Sequence, residues 1–227
     1  MAQAGLHAMI GAVARKWMPH REWLMLGVLL GNFFPDLDNL VVAYATLAKL
    51  AAPQGFHRTF THSLFTTVAL MIVFYLTGTL TRNWKWNNFA LGFGIGILMH
   101  IGVDLALWFN GVELFWPFSK YELNFWGWFV TPVWLQILID TGEFLMFALF
   151  YLLLSSFAQK QNTDAKHRGS LRMWTILQFV LFILFTLISF ILGTKGLYHT
   201  IYGGLYLLSL IVTIILTIRM RQTVEAL

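Results

Sequence analysis

Five apolar runs limit what this chain can become: Leu64 to Leu80, Phe89 to Phe109, Val133 to Phe157, Met173 to Leu192 and Leu197 to Ile218. Crossing the hydrocarbon of a bilayer takes about 20 helical residues, within a range of roughly 17–25, and each run is long enough. Charged residues make up 11% of the chain against about 25% in soluble domains, while aromatic residues reach 17%. The expected fold is therefore all-α, a polytopic membrane protein of five transmembrane helices preceded by a short N-terminal helical hairpin. The whole chain, 1–227, reads as a single integral membrane domain. Residues 5–132 carry its polar motifs and 133–227 supply three further helices.

The hairpin is read from two short apolar segments, Leu6 to Ala14 and Leu24 to Phe34, separated by the basic stretch Arg15 to Glu22 with Pro19 inside it. An interfacial helix followed by one short span is the alternative. Arg15 and Lys16 follow the first apolar segment, the reverse of a secretory signal, so the segment is expected to stay in the mature protein. Leu40 to Ala52 carries Lys49 and ends at Pro53-Gln54-Gly55, which predicts a surface or interfacial helix and a turn.

Lys and Arg in short loops set orientation. Arg82 and Lys85, then Lys160, Lys166, Arg168 and Arg172, then Arg219 and Arg221 place loops 81–88 and 158–172 and the C-terminus on the cytoplasmic side. Residues 35–62, 110–132 and 193–196 then face the other side, where Lys120 and Lys195 are the basic residues of the later two loops. The net charge of +5 is spread between apolar runs and builds no basic face, so nucleic acid is not an expected partner. The aromatic segments 115–118 and 125–129 suit a loop in the headgroup layer. This topology puts a multi-pass protein in the plasma (inner) membrane.

Three polar clusters fall on the non-cytoplasmic side of that topology: Pro35-Asp36-Leu37-Asp38, His57-Arg58-Thr59-Phe60-Thr61-His62-Ser63, and His100 with Asp104. The last two residues are four apart and share one helix face. An ionisable residue at the bilayer centre costs about 2.5 kcal/mol or more, which makes such a pair a functional candidate. The plainer readings are a polar clasp between helices, an N-cap at Asp36 or Asp38, and an N-cap at Thr61 or Ser63. The chain has no cysteine, so any metal must be held by nitrogen and oxygen. His7, Asp36, Asp38, His57, His62, His100 and Asp104 are the candidate ligands, more than one tetrahedral ion needs and enough for two ions. Arg58 is suited to hold an anionic substrate group. Asp140 and Glu143, one face of a later span, are candidates for a supporting or ion-conducting role, and His199 for a further ligand. Glu113 is a general base only if its loop folds over the metal, and His20 and His167 read as solvated.

The order and spacing of His7-x-x-x-Gly11, Pro35-Asp36-Leu37-Asp38, His57-Arg58-x-x-Thr61-His62-Ser63 and His100-x-x-x-Asp104 followed by Gly111 to Pro117 resemble the YdjM-like family of membrane-bound metal-dependent hydrolases. The resemblance covers roughly residues 5–120. It departs at Asn39, where the family often has His, at Thr59, commonly Gly, and at Leu107-Trp108-Phe109, where Thr-Pro is usual. It implies a hydrolase using a divalent metal, expected to be zinc with manganese or iron as alternatives, in one or two ions. The expected reaction is attack of a metal-activated water on an ester or phosphoester of a membrane lipid or amphipathic substrate at the outer interface. Arg58 would stabilise developing charge and Asp38 would handle protons. The rival expectations are a divalent-cation transporter running past Asp104, Asp140 and Glu143, and a non-enzymatic structural membrane protein.

Overall fold

The computed structural model describes residues 3–50, 57–108, 111–194 and 197–226. The turn expected at Pro53-Gln54-Gly55, the end of a span at Phe109, and Lys195 lie outside the described residues. Nine α-helices follow in order among those described: α1 Ala4–Val13, α2 Leu24–Phe33, α3 Asp38–Leu47, α4 Leu64–Leu80, α5 Lys85–Leu107, α6 Val133–Lys160, α7 Arg168–Ile191, α8 Tyr198–Arg219 and α9 Arg221–Ala226. No strand occurs among the described residues beyond one isolated bridge, Val112 with Leu123. The fold is the all-α membrane architecture that the apolar runs predict.

The spans are distributed differently from the expectation. Five helical stretches are long and apolar enough to cross: Leu24–Leu47, α5, α6, Ala165–Ile191 and α8. Leu64–Leu80 is present as α4 but holds 17 residues, about 26 Å at 1.5 Å each. That is the short end of the crossing range, and Leu24–Leu47 adds a long span where the sequence reading has the second arm of a hairpin. Pro35 sits at the first position of a single 3-10 turn, Pro35–Leu37, where its missing N–H costs no helical hydrogen bond. Phe34, Leu37 and Asp38 all keep right-handed helical backbone, so the chain continues from α2 into α3. Residues 40–47 thereby extend the preceding helix instead of forming a separate surface helix.

The chain divides into two compact units, Gly11–Val130 and Met1–Ile10 with Thr131–Leu227. Within the first, α2 and α5 pack backbone to backbone. Gly27 and Gly31 on α2 meet Gly92 and Gly96 on α5, a four-residue spacing of small residues on each helix. A Cβ at Gly31 would collide with the Phe93 carbonyl, one at Gly96 with the Val28 carbonyl, and one at Gly27 would lie 2.6 Å from the Phe89 oxygen. On the other side of α5, α4 seats Met71 against Gly94 and Phe74 among Trp86, Phe89 and Phe93. The end of α1 belongs to this unit, with Gly11 against Asn32 and Leu29 of α2.

The second unit pairs α6 with α7 and adds α8 and α9. Its seam mixes aromatic rings with hydroxyls: Phe144, Phe185, Tyr198 and Tyr202 cluster, and Tyr151 bonds Thr213 at 2.6 Å. Gln178 donates to Ser209 at 2.9 Å, and Thr186 donates to Thr141 at 2.8 Å. Gln3 donates to the Ile139 carbonyl at 3.1 Å, and Gly5 admits the backbone of Met146 and Phe147. Hydroxyls that bond across or along helices satisfy themselves without water, as a bilayer requires. α7 turns its remaining large apolar side chains outward, at Ile176, Val180, Ile183, Leu187 and Phe190.

Candidate metal centre

The 3-10 turn at Pro35–Leu37 and the start of α3 deliver Asp36 and Asp38. A second 3-10 turn, Phe60–His62, delivers His62 just before α4, and the last turns of α5 deliver His100 and Asp104. All five side chains are fully buried and Arg58 is 3% exposed. Ser63 caps α4, accepting from the Phe65 N–H at 3.1 Å, and donates to the Trp116 carbonyl. One of the two hydroxyls thus has the capping role expected for Thr61 or Ser63, and Thr61 is left for the site.

His62, His100 and Asp104 each offer one ligand atom, and these atoms lie within 4.8 Å of one another. His62 Nε2 is 3.3 Å and His100 Nε2 is 3.7 Å from Asp104 Oδ2. Asp36 Oδ1 also lies 3.7 Å from His100 Nε2. Two ligand atoms bound to one tetrahedral ion at about 2.1 Å each stand roughly 3.4 Å apart, so the spacing fits a metal.

The tautomers agree. His100 Nδ1 is 2.8 Å from the Asn32 carbonyl oxygen, which can only accept, so Nδ1 carries the hydrogen and the Nε2 lone pair faces the carboxylates. Thr61 Oγ1 donates to Asp38 Oδ2 at 3.3 Å, which leaves it to accept from His62 Nδ1 at 3.1 Å; His62 Nε2 then faces Asp104 with its lone pair. Histidine ligands are held in this way when their second nitrogen is tied to a carbonyl or to a carboxylate network. Charge is compatible with the same reading. Asp36, Asp38 and Asp104 are three buried carboxyl groups close to one guanidinium, Arg58, a donor set to which a divalent cation would be suited.

Asp38 and His57, expected as ligands, stand beside this group as a hydrogen-bonded pair. His57 Nδ1 is 2.9 and 3.0 Å from the two Asp38 oxygens, the Arg58 backbone N–H donates to Oδ2 at 2.8 Å, and Thr61 adds its hydroxyl. Three donors thus converge on the one carboxylate. His57 Nε2 is buried with no hydrogen-bond partner among the described residues. Burial holds the His57 imidazole below its usual pKa, with Asp38 opposing. Arg58 has left-handed backbone, φ +59°, and places Nη2 at 3.3 Å from Asp104 Oδ2. The base of the aromatic loop is tied to the same segment, with the Glu113 N–H donating to the Arg58 carbonyl at 3.1 Å and the Leu64 N–H to the Leu114 carbonyl at 2.9 Å.

His7 is fully buried on α1 and belongs to the other unit, as do Asp140, the fully buried Glu143 and the exposed His199. Asp140 Oδ1 accepts from Gln136 at 2.7 Å. His20 contacts the Arg15 guanidinium in the N-terminal turn, and His167 is half-buried. Sequence reasoning passed over Asn32, whose carbonyl orients His100; its signal was an amide within the apolar run Leu24 to Phe34.

No curated protein and no solved structure matches the chain. A family described as YdjM inner membrane protein matches residues 2–194, beyond the 5–120 over which the motifs carry the resemblance and through α6 and α7. This multi-pass chain with a buried His/Asp cluster belongs to the YdjM inner membrane protein family.

Proposed function

We propose that His62, His100 and Asp104, with Asp36, hold a divalent cation, zinc by their nitrogen and oxygen donors, and that the protein is a membrane hydrolase. The observation that carries this reading is the convergence of two histidine Nε2 lone pairs on Asp104, each oriented from behind by a bonded Nδ1. Such an ion, when bound, supplies Lewis acidity and a lowered pKa for water. The chain's own residues do the rest. Asp38 holds the His57 proton at Nδ1 and presents Nε2; it also fixes the Arg58 backbone and Thr61. Arg58, braced on Asp104, is the cation that would hold an anionic ester group as charge develops. His7 enters as a further ligand from its motif alone, and a second ion remains part of the proposal on the same ground.

The substrate we infer is an ester or phosphoester of a lipid-like molecule. Support comes from burial of the site among apolar helices and from the aromatic loop whose base is bonded to Arg58 and Leu64. The basic loops support a cytoplasmic C-terminus and a site toward the non-cytoplasmic face. Metal analysis of detergent-purified protein followed by turnover assays on phospholipids, lipid phosphates and polyprenyl phosphates tests the reading. One or two equivalents of zinc, manganese or iron with lipid turnover supports it. Metal-free protein after reloading, or cleavage of soluble amides alone, sinks it.

A further inference from the structure

The metal centre occupies one end of α5. Near the other end, a cavity of about 530 Å³ opens between α4 and α5, lined by Val68, Met71, Ile72, Tyr75, Leu76 and Leu91 among others, with Arg21, Asn87 and Asn88 as polar lining residues. Its volume lies within the 300–1,000 Å³ of ligand clefts. Asn87 and His100 are thirteen residues apart on one helix, about 20 Å, so this is not the metal site.

Two observations identify the occupant. The apolar walls belong to helices whose neighbouring surface is half exposed and apolar, at Val68, Ile72, Tyr75, Leu76 and Leu91, so in a bilayer the cavity would open to hydrocarbon and suit an acyl chain. The polar end is cationic and donor-rich. Arg21 lines it and has no ion pair among the described residues, whereas its neighbour Glu22 is neutralised by Lys85. Asn87 turns its amide oxygen into the protein against Gly78, which directs its N–H donors away from that packed side. Asn88 is committed to the Glu22 carbonyl at 3.0 Å and frames the site without serving it.

We infer that this groove binds a membrane phospholipid, one acyl chain lying between α4 and α5 and the phosphate held by Arg21 and Asn87. The net positive end selects a headgroup of net negative charge over a zwitterionic one. Arg15 and Lys16 raise the general attraction of this turn for an anionic surface, but neither lines the groove. The inference stands apart from the hydrolase reading, because it uses no residue of the metal centre.

The test is native mass spectrometry of the full chain released from nanodiscs of equal phosphatidylglycerol and phosphatidylcholine with matched acyl chains. Wild type should retain phosphatidylglycerol about tenfold over phosphatidylcholine, the scale of one charge-assisted contact. Arg21→Gln should bring that ratio close to one, Arg21→Lys should restore part of it, and Ile72→Trp should lower retention of both lipids. Lys16→Gln should leave the ratio unchanged. The gel-filtration profile and melting temperature in detergent, the checks on folding, should match wild type throughout. Equal retention of the two lipids by wild type, or an equal loss in Lys16→Gln and Arg21→Gln, overturns the site, the latter by showing diffuse surface charge.

Discussion

His100 donates from Nδ1 to the backbone carbonyl of Asn32, across the interface between α5 and α2, and this bond decides which ring atom meets Asp36 and Asp104. Because the acceptor is backbone, side-chain substitution cannot remove it. The orientation of the ligand is a property of the helix pair.

Removing a convergent donor should remove the metal. His62→Ala, His100→Ala and Asp104→Asn are each expected to lower bound metal at least tenfold, the scale of a lost ligand, while Asp36→Asn, whose Oδ1 lies 3.7 Å from His100 Nε2, should lower it less. Elemental analysis at matched size-exclusion profiles checks this. Full occupancy in all four variants would leave the cluster as a helix clasp.

Asp38→Asn should behave differently from Asp104→Asn. It replaces one acceptor oxygen of a carboxylate bonded to His57, the Arg58 N–H and Thr61 by an N–H₂ group, and a spoiled buried hydrogen bond costs about 1–3 kcal/mol. The expected result is a melting temperature lower by several degrees with more metal kept than in Asp104→Asn. Thermal unfolding in detergent, paired with metal content, separates the two.

Arg58→Ala separates metal binding from use of the metal. Its guanidinium touches Asp104 and supplies no ligand atom, so occupancy should stay within about twofold of wild type. Turnover of an anionic lipid ester should drop about 100-fold or more, as for loss of a charge-stabilising donor. An unchanged rate would remove Arg58 from the chemistry.

Gly31→Leu and Gly96→Leu should prevent close approach of α2 and α5 and so lose both folded protein and metal, although glycine offers no ligating side chain. Gly102→Ala is the control. A Cβ there meets nothing within 4 Å, and alanine favours helix by about 1 kcal/mol over glycine. Fluorescence-detected gel filtration should show a monodisperse peak for Gly102→Ala alone.

Much of the site was legible because its residues are costly in a membrane: His100 and Asp104 at helical spacing, and the crowded His57 to Ser63 segment, have few other reasons to stand among apolar runs. What a linear pattern does not carry is which carboxylate is filled by donors. Asp36 and Asp38 look alike in sequence, and they separate only when His57, the Arg58 N–H and Thr61 fold onto Asp38. The continuation of α2 into α3 was hidden for a related reason. Pro35 reads as a stop, and its helical neighbours let it open a new turn. The close packing of Gly27, Gly31, Gly92 and Gly96 depends on two distant segments meeting, so neither helix announces it alone.

That glycine seam bears on how the centre is assembled. Where these glycines meet, α2 and α5 have no rotamers through which to absorb an error, and the reference frame for Asn32, Asp36, His100 and Asp104 is cut into the backbone itself. The pocket is then a jig machined before any part is fitted: its dimensions belong to the helix pair, and a bound ion would have to match a gauge already set.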